Sequence, residues 1–318
     1  MGRAACPQAA VNGALGQRTL PIFPMSDPKE ILKKIRRIEL RTRRLVNATF
    51  AGQYHSVFKG RGMNFEEVRE YNAGDEIRSI DWNVTARMNT PYVKKYTEER
   101  ELTVMLLVDV SASGTFGSVE LSKRELAAEV AAILAFSAIR NNDKVGLLLF
   151  SDTVELYIPP KKGRMHTLRL IREMLYFDPK GKGTNLAAAL EYLNKILSRR
   201  SVVFVVSDFI APDYTKSLTV AGRRHDVVAM PIVDPGEESL PDVGLITFED
   251  AETGEQIEIN TSSRAVRNSF AAEEERRRKA LDKLFGSRGI DVVPLATNED
   301  YLIPLRAFFE RRERRRVA

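Results

Sequence analysis

The sequence predicts an α/β protein: a doubly wound, mostly parallel sheet of Rossmann type behind a charged N-terminal α/β extension. Three observations lead there. From Glu101 onward, short apolar runs alternate with segments of helical period. Two runs, Met105–Val108 and Val202–Val206, are apolar at every position, as strands covered on both faces are. The links between runs are short, so parallel pairing requires the intervening helices as crossovers.

The elements follow in order. Residues 1–26 are mixed, without the basic-then-apolar layout of a signal peptide, and are expected to be a disordered leader. Residues 27–100 form a segment of their own. Asp27 before Pro28 has the form of a helix start. The basic helix it opens has Ile31, Ile35, Ile38 and Val46 on one face, and by composition is a solvated surface helix. Tyr54–Phe58 is a short strand candidate, broken by Lys59-Gly60-Arg61-Gly62. Phe65 to Glu99 is dense in charge and turn residues; Ile77, Ile80 and Val84 keep helical spacing, with Asp75 placed to cap them. Arg69, Asp75, Arg78, Asp81 and Arg87 are left to pair with one another as an exposed ion-pair network, or with Trp82 to meet a partner.

Residues 101–303 carry the alternation. Glu120–Arg140 is a helix whose Leu126, Val130, Ile133, Leu134 and Phe136 cover much of its circumference, as on a sheet face. Val145–Phe150 is a second buried strand. Val154, Leu156 and Ile158 mark an edge strand stopped by Pro159-Pro160. Met165, Leu168, Ile171 and Leu175 mark a helix, and the turn Pro179–Asn185 precedes another from Leu186 to Leu197. Val202–Val206 and Asp226–Val233 are the fourth and fifth strands. Thr247–Asn260 reads as an inserted hairpin around Glu252-Thr253-Gly254. A helix from about Thr261 to Phe285 sets Glu273–Arg277, Glu274–Arg278 and Glu275–Lys279 at i,i+4. Gly289–Leu295 is the last strand and Tyr301–Phe309 the last helix, and residues 304–318 end in a basic tail.

Bulk properties bound the function. With 318 residues, 43% hydrophobic and 29% charged, the chain can bury a sizeable core. A net charge of +6 admits an acidic protein, an anionic membrane surface or nucleic acid as partner. Cys6 is the only cysteine, which excludes an internal disulfide and agrees with a cytoplasmic location. No run approaches the length needed to span a bilayer.

The stretch that carries chemistry is Asp109-Val110-Ser111-Ala112-Ser113-Gly114, at the end of a buried strand, where open α/β sheets place their ligands. Oxygen side chains at i, i+2 and i+4, with no His or Cys beside them, suit a hard cation such as Mg²⁺. They equally suit a strand end whose serines turn onto the backbone. Asp208 ends the fourth strand, and Thr184 precedes a helix. Each has a plain reading, as a turn residue and a helix cap; together with Asp109 they supply three sides of one oxygen cage on the same rim.

In order and loop placement, Asp109, Ser111, Ser113, Thr184 and Asp208 resemble the metal-ion-dependent adhesion site of von Willebrand factor A domains. The resemblance implies that Ser111 and Ser113 ligate a metal directly, Thr184 directly or through water, and that Asp109 and Asp208 hold the ligand shell, with Mg²⁺, Mn²⁺ or Ca²⁺ as the ion. Upstream, Gly60-Arg61-Gly62, Arg69-Glu70-Tyr71, Gly74-Asp75-Glu76-Ile77-Arg78, Ile80-Asp81-Trp82 and Ala86-Arg87 resemble the signature of the bacterial domain-of-unknown-function family 58. That resemblance spans roughly Gly52 to Ile303. It implies association with a MoxR-type AAA+ ATPase, an adaptor or co-chaperone role, and no established reaction.

The expected function is therefore a non-catalytic, metal-dependent interaction module that takes a carboxylate from an acidic client or partner. A P-loop is absent, since Lys182 is followed by Gly183 and Tyr176 stands where a glycine is needed. No Gly-x-Ser-x-Gly elbow occurs, and His55, His166 and His225 are scattered. Two alternatives stay open. A Mg²⁺-dependent phosphohydrolase would need Lys180 or Lys182 as its cationic clamp. Binding to an anionic membrane or nucleic acid would use the basic helix and the Arg-rich end, where aromatic interleaving is poor.

Overall fold

A computed structural model of the protein describes residues 28–46, 54, 57–58, 64–97, 101–115, 117, 121–249 and 255–317. The leader expected over residues 1–26, the Gly60-Arg61-Gly62 break and the Glu252-Thr253-Gly254 turn lie outside the described residues.

The basic helix, α1 (Pro28–Leu45), is docked rather than solvated. Ile35, Ile38 and Val46 are buried, and so are Glu39 and Thr42. Some of its charges are met from within the chain: Lys34 pairs with Glu125, Arg41 lies 3.2 Å from Glu129, and Arg164 forks onto Glu39 at 2.5 and 3.0 Å, while Lys33, Arg36, Arg37 and Arg44 are exposed. Tyr54, Val57 and Phe58 are helical and buried, not a strand. Their i, i+3, i+4 spacing is the helical period, which outweighs their β-propensity.

The charged segment folds as a small unit of its own. β1 (Asn64–Glu70) and β2 (Tyr92–Thr97) pair antiparallel, a hairpin that the density of charge conceals in the sequence. A short 3-10 turn, Ile77–Ser79, leads into α2 (Trp82–Met88). The cap is Asp81, whose carboxylate accepts from the Asn83 and Val84 amides, and not Asp75. Asp75 instead takes the guanidinium of Arg69 at 2.6 and 2.9 Å and the amide of Asn72.

The main sheet is built on the apolar runs. In β3 (Thr103–Asp109), Val104, Leu106 and Val108 join one core layer and Met105 and Leu107 the other, the period-two alternation of a strand with no polar face. β4 (Lys144–Phe150), β5 (Val154–Lys161), β6 (Val202–Ser207) and β7 (Asp226–Val233) follow. β8 (Leu245–Glu249) and β9 (Gln256–Asn260) form the inserted hairpin. The last strand is split by Pro294 into β10 (Asp291–Val292) and β11 (Leu295–Ala296), both on β7. Among the described residues the order is β10-β7-β6-β3-β4-β5, parallel except for the edge strand β5. The order reverses between β3 and β6, so this is the doubly wound arrangement with its switch point there. Pro159-Pro160 does not end β5; both prolines are accommodated within it, beside a register shift on the outermost strand, where a missing N–H costs least.

Helices cover both faces. α3 (Lys123–Arg140) opens with a reciprocal capping box between Ser122 and Glu125. Its alanine-rich body is buried almost all round, between α1 and the sheet. α4 (Arg164–Tyr176) buries Thr167, Leu170, Ile171 and Met174, while Met165 is exposed. On the opposite face lie α5 (Leu186–Ile196) and α6 (Thr215–Arg224), the latter hidden in the sequence by its threonines and Gly222. A single turn, α7 (Pro235–Glu238), precedes α8 (Arg264–Gly286). Of the three expected i,i+4 pairs in α8, Glu275–Lys279 forms at that spacing; Arg277 turns to Glu274 and Arg278 to Glu238.

The last helix, expected over Tyr301–Phe309, runs on through the basic tail expected over residues 304–318. α9 (Leu302–Val317) buries Leu305, Phe308 and Phe309. Arg312, one helical repeat beyond Leu305, continues that face. It lies over the Phe58 and Phe308 rings, at 5.2 and 4.9 Å, and binds Asp226 and Asp291. No helix among the described residues is long and apolar enough to cross a membrane.

Candidate metal centre

Because β3 and β6 are neighbours, with Val108 opposite Val206, their carboxyl ends bring Asp109 and Asp208 to one rim. Ser111 and Ser113 lie in the tight turn after β3. The Ser111 amide donates to Asp109 Oδ1 at 2.9 Å, and the two serine hydroxyls are 3.0 Å apart, both buried. The Ala112 amide donates to the Lys182 carbonyl at 3.1 Å, hooking this turn onto the loop that carries Thr184. Thr184 is buried at that junction and is not the helix cap; Asn185 caps α5 through the Ala188 amide.

The loop is held from the other side by Glu155, whose Oε1 accepts from the Ser151 hydroxyl and the Lys180 and Gly181 amides. Gly181 runs so close to this support that a Cβ there would lie 1.9 Å from Asp152 Oδ1 and 2.5 Å from Ser151 Oγ.

Each carboxylate is oriented. Asp109 Oδ2 accepts from Ser207 Oγ at 2.7 Å, Asp208 Oδ1 from the Ile210 amide at 3.0 Å, and the Asp208 carbonyl from Arg277 at 3.2 Å. Asp208 Oδ2 takes the ammonium of Lys123 at 3.2 Å, and the same ammonium reaches Glu237 Oε1 at 2.6 Å. A cavity of about 20 Å³ lies between Asp109, Ser113, Lys123 and Asp208, room for one water-sized occupant. Arg124 also borders it, but sends its guanidinium to the Met174 and Phe177 carbonyls at the end of α4.

Two acids, Asp208 and Glu237, thus share one ammonium, and Asp109 lines the same cavity without touching it. Burial, and then the Asp208 charge, push Asp109 well above the ordinary carboxylate range, against the hydrogen bonds from Ser111 and Ser207. Burial likewise raises Glu237 despite Lys123. For Lys123 burial acts downward, yet Asp208 and Glu237 outweigh it and the ammonium is held charged.

The donor set fits a small hard cation. Among the described residues no group of three His, Cys, Asp or Glu side chains is arranged for a metal, so a cation at this rim would depend on the serine and threonine hydroxyls. Two oxygens on adjacent corners of a Mg²⁺ octahedron, with bonds of about 2.1 Å, stand about 3.0 Å apart, which is the Ser111–Ser113 separation. A cation would also relieve the repulsion between Asp109 and Asp208.

The six residues singled out upstream lie elsewhere. Arg69 and Asp75 pair with each other and Asp81 with Lys94. Arg78 and Arg87 are exposed, as are Trp82 and its apolar neighbours Ile77 and Met88. None of them borders the cavity. His166 meets the Val145 carbonyl and His225 is buried away from the rim, while His55 lies outside the described residues.

Sequence reading missed Ser207, Lys123, Glu237 and Arg277. A signal existed for Lys123. Ser122-x-x-Glu125 marks a helix start, where the backbone dipole favours acids, so a lysine in that first turn needs carboxylates to explain it. Glu237, 114 residues from Lys123, left no such trace.

An uncharacterized protein of Mycobacterium tuberculosis is 31% identical over 297 residues, covering 92% of this chain and 93% of the relative. The uncharacterized protein YeaD of Bacillus subtilis is 24% identical over 161 residues, covering 51% of this chain and 38% of that protein. Among solved structures, the conserved hypothetical protein BatB from Bacteroides thetaiotaomicron aligns with 66% of this chain and 96% of its own, at 15% identity and TM-score 0.42. The SpRpn10 VWA domain aligns with 64% of this chain and 92% of its own, at 14% identity and TM-score 0.35. The family described as "Protein of unknown function DUF58" matches residues 67–280, two-thirds of the sequence, and this chain belongs to that family.

Proposed function

We propose that this protein is a metal-dependent interaction module that recognises a carboxylate on an acidic client or partner. The observation that carries the reading is the oxygen cage at the β3/β6 switch point, where Ser111, Ser113, Asp109 and Asp208 meet and the Lys123 ammonium is shared by Asp208 and Glu237. In this reading Ser111, Ser113 and Thr184 hold Mg²⁺, or Mn²⁺ or Ca²⁺ in its place, while Asp109 and Asp208 orient the shell. A bound metal would supply an electrophilic coordination position for the incoming carboxylate. The chain's own part is orientation: Ser207 and the Ser111 amide fix Asp109, and the Ile210 amide fixes Asp208. No group in this account transfers a proton or attacks a substrate, so the role is binding and not catalysis.

A MoxR-type AAA+ ATPase is the partner class that the family resemblance favours, in the cytoplasm. The exposed Trp82 with Arg78 and Arg87 offers a second surface for it, outside the lining of the cage. Against a nucleic-acid or membrane role for the C-terminal arginines stands the commitment of Arg312 and Arg315 to Asp226 and Asp291.

The test is Ser111→Ala in a pull-down with the co-expressed ATPase, with Mg²⁺ and with EDTA. Loss of capture in the variant and in EDTA is expected; capture by the wild type that persists in EDTA overturns the proposal.

A further inference from the structure

We infer that Lys123 sets how tightly this centre binds divalent cations, its ammonium being a resident charge that competes with the metal for Asp208. The inference rests on the metal-centre reading above and adds a residue that the adhesion-site pattern does not contain.

Lys123 is placed against expectation. It sits in the first turn of α3, at the positive end of the helix dipole, and is 3% exposed. A lysine loses much rotamer freedom and its hydration on burial, and holds such a position only if carboxylates meet it. Two do, at 3.2 Å (Asp208) and 2.6 Å (Glu237).

The geometry on Asp208 is specific. Its Oδ1 is engaged by the Ile210 amide, which leaves Oδ2 as the oxygen facing other donors, and Oδ2 is the atom that Lys123 binds. A metal, or a water on it, seeking Asp208 meets an ammonium already there, across a cavity that Lys123 itself lines. The carboxylate keeps lone pairs for both, so the competition is electrostatic rather than steric. Two consequences follow. Metal affinity is held below what the carboxylates alone would give, and the metal-free pocket stays folded because one cation never leaves it.

Calorimetric titration of the full chain with MgCl₂ and MnCl₂, together with melting in each salt and in EDTA, tests this on Lys123→Met, Lys123→Gln and Lys123→Arg. Removing one unit charge a few ångströms from the ion should tighten Mg²⁺ binding by about tenfold or more in the Met and Gln variants. Lys123→Arg, which keeps the charge, should stay near wild type. Melting of the neutral variants should drop in EDTA and recover with Mg²⁺, while wild-type melting responds little. Gln donates to the same carboxylates, so it serves if Met does not fold. Wild-type affinity in a folded neutral variant overturns the inference and leaves the metal centre standing. If neither the wild type nor any variant binds either metal, both fall together.

Discussion

Replacing Arg312 by methionine is the sharpest test of how the C-terminal helix is held. The guanidinium donates to both oxygens of Asp226 at 2.6 and 2.8 Å and to Asp291 at 2.6 Å, over the Phe58 and Phe308 rings. The Arg312 side chain is 13% exposed, Asp291 11% and Asp226 32%. Removing one partner of a fully buried pair costs about 3–5 kcal/mol, because the remaining carboxylates lose their counter-charge. Water reaches Asp226, which trims that figure, so about 3 kcal/mol is expected. Methionine keeps the contact with the rings, so the loss isolates the charge. For a chain of this size that corresponds to a fall in melting temperature of about 4–5 °C. Circular dichroism melting of the variant beside wild type and Arg312→Lys reads it. Lysine retains the charge without the fork and should fall between the two. A drop smaller than about 2 °C in Arg312→Met would refute the packed-helix account and return these arginines to the solvent.

Two further outcomes are expected. Arg164 and Arg43 hold Glu39 below the ordinary glutamate range against the opposing effect of burial. Its contribution is therefore present above the unfolded pKa and lost as pH falls through the folded one, that is, below about pH 4.3. Arg164 is largely solvent-facing, so about 1 kcal/mol is at stake. Glu39→Gln should lower stability at neutral pH and flatten the acid limb of a denaturant-midpoint profile, and parallel profiles would exclude the coupling. Glu155→Ala should remove the acceptor of the Lys180 and Gly181 amides; water reaches the exposed Lys180 amide, so about 1 kcal/mol is expected. Hydrogen exchange at those two amides should accelerate more than in the β3 core, and equal protection in variant and wild type would remove Glu155 as the support of the Thr184 loop.

The strands of the main sheet were legible because their covering on both faces leaves continuous apolar runs, as in Val202–Val206, and the edge strand because one side alternates. Asp109, Ser111 and Ser113 were legible as a group because a tight turn needs them close in the chain. What the sequence concealed has common physical causes. The β1–β2 hairpin hides under charge because its small sheet has little core to reveal. α6 hides because its helical face is short and threonine-rich. Helix α1 and Arg312 read as solvated because their counter-charges, Glu125, Glu129, Asp226 and Asp291, lie far off in the chain. The sequence by itself determined the chemistry at the carboxyl end of β3: oxygen donors, no soft ligands, no nucleophile with a base. Only the tertiary structure decided that Asp208 stands beside Asp109, since strand order is a property of the whole sheet. It alone decided that Lys123 and Glu237 complete the same pocket, because a buried charge chooses partners by distance in space and not along the chain.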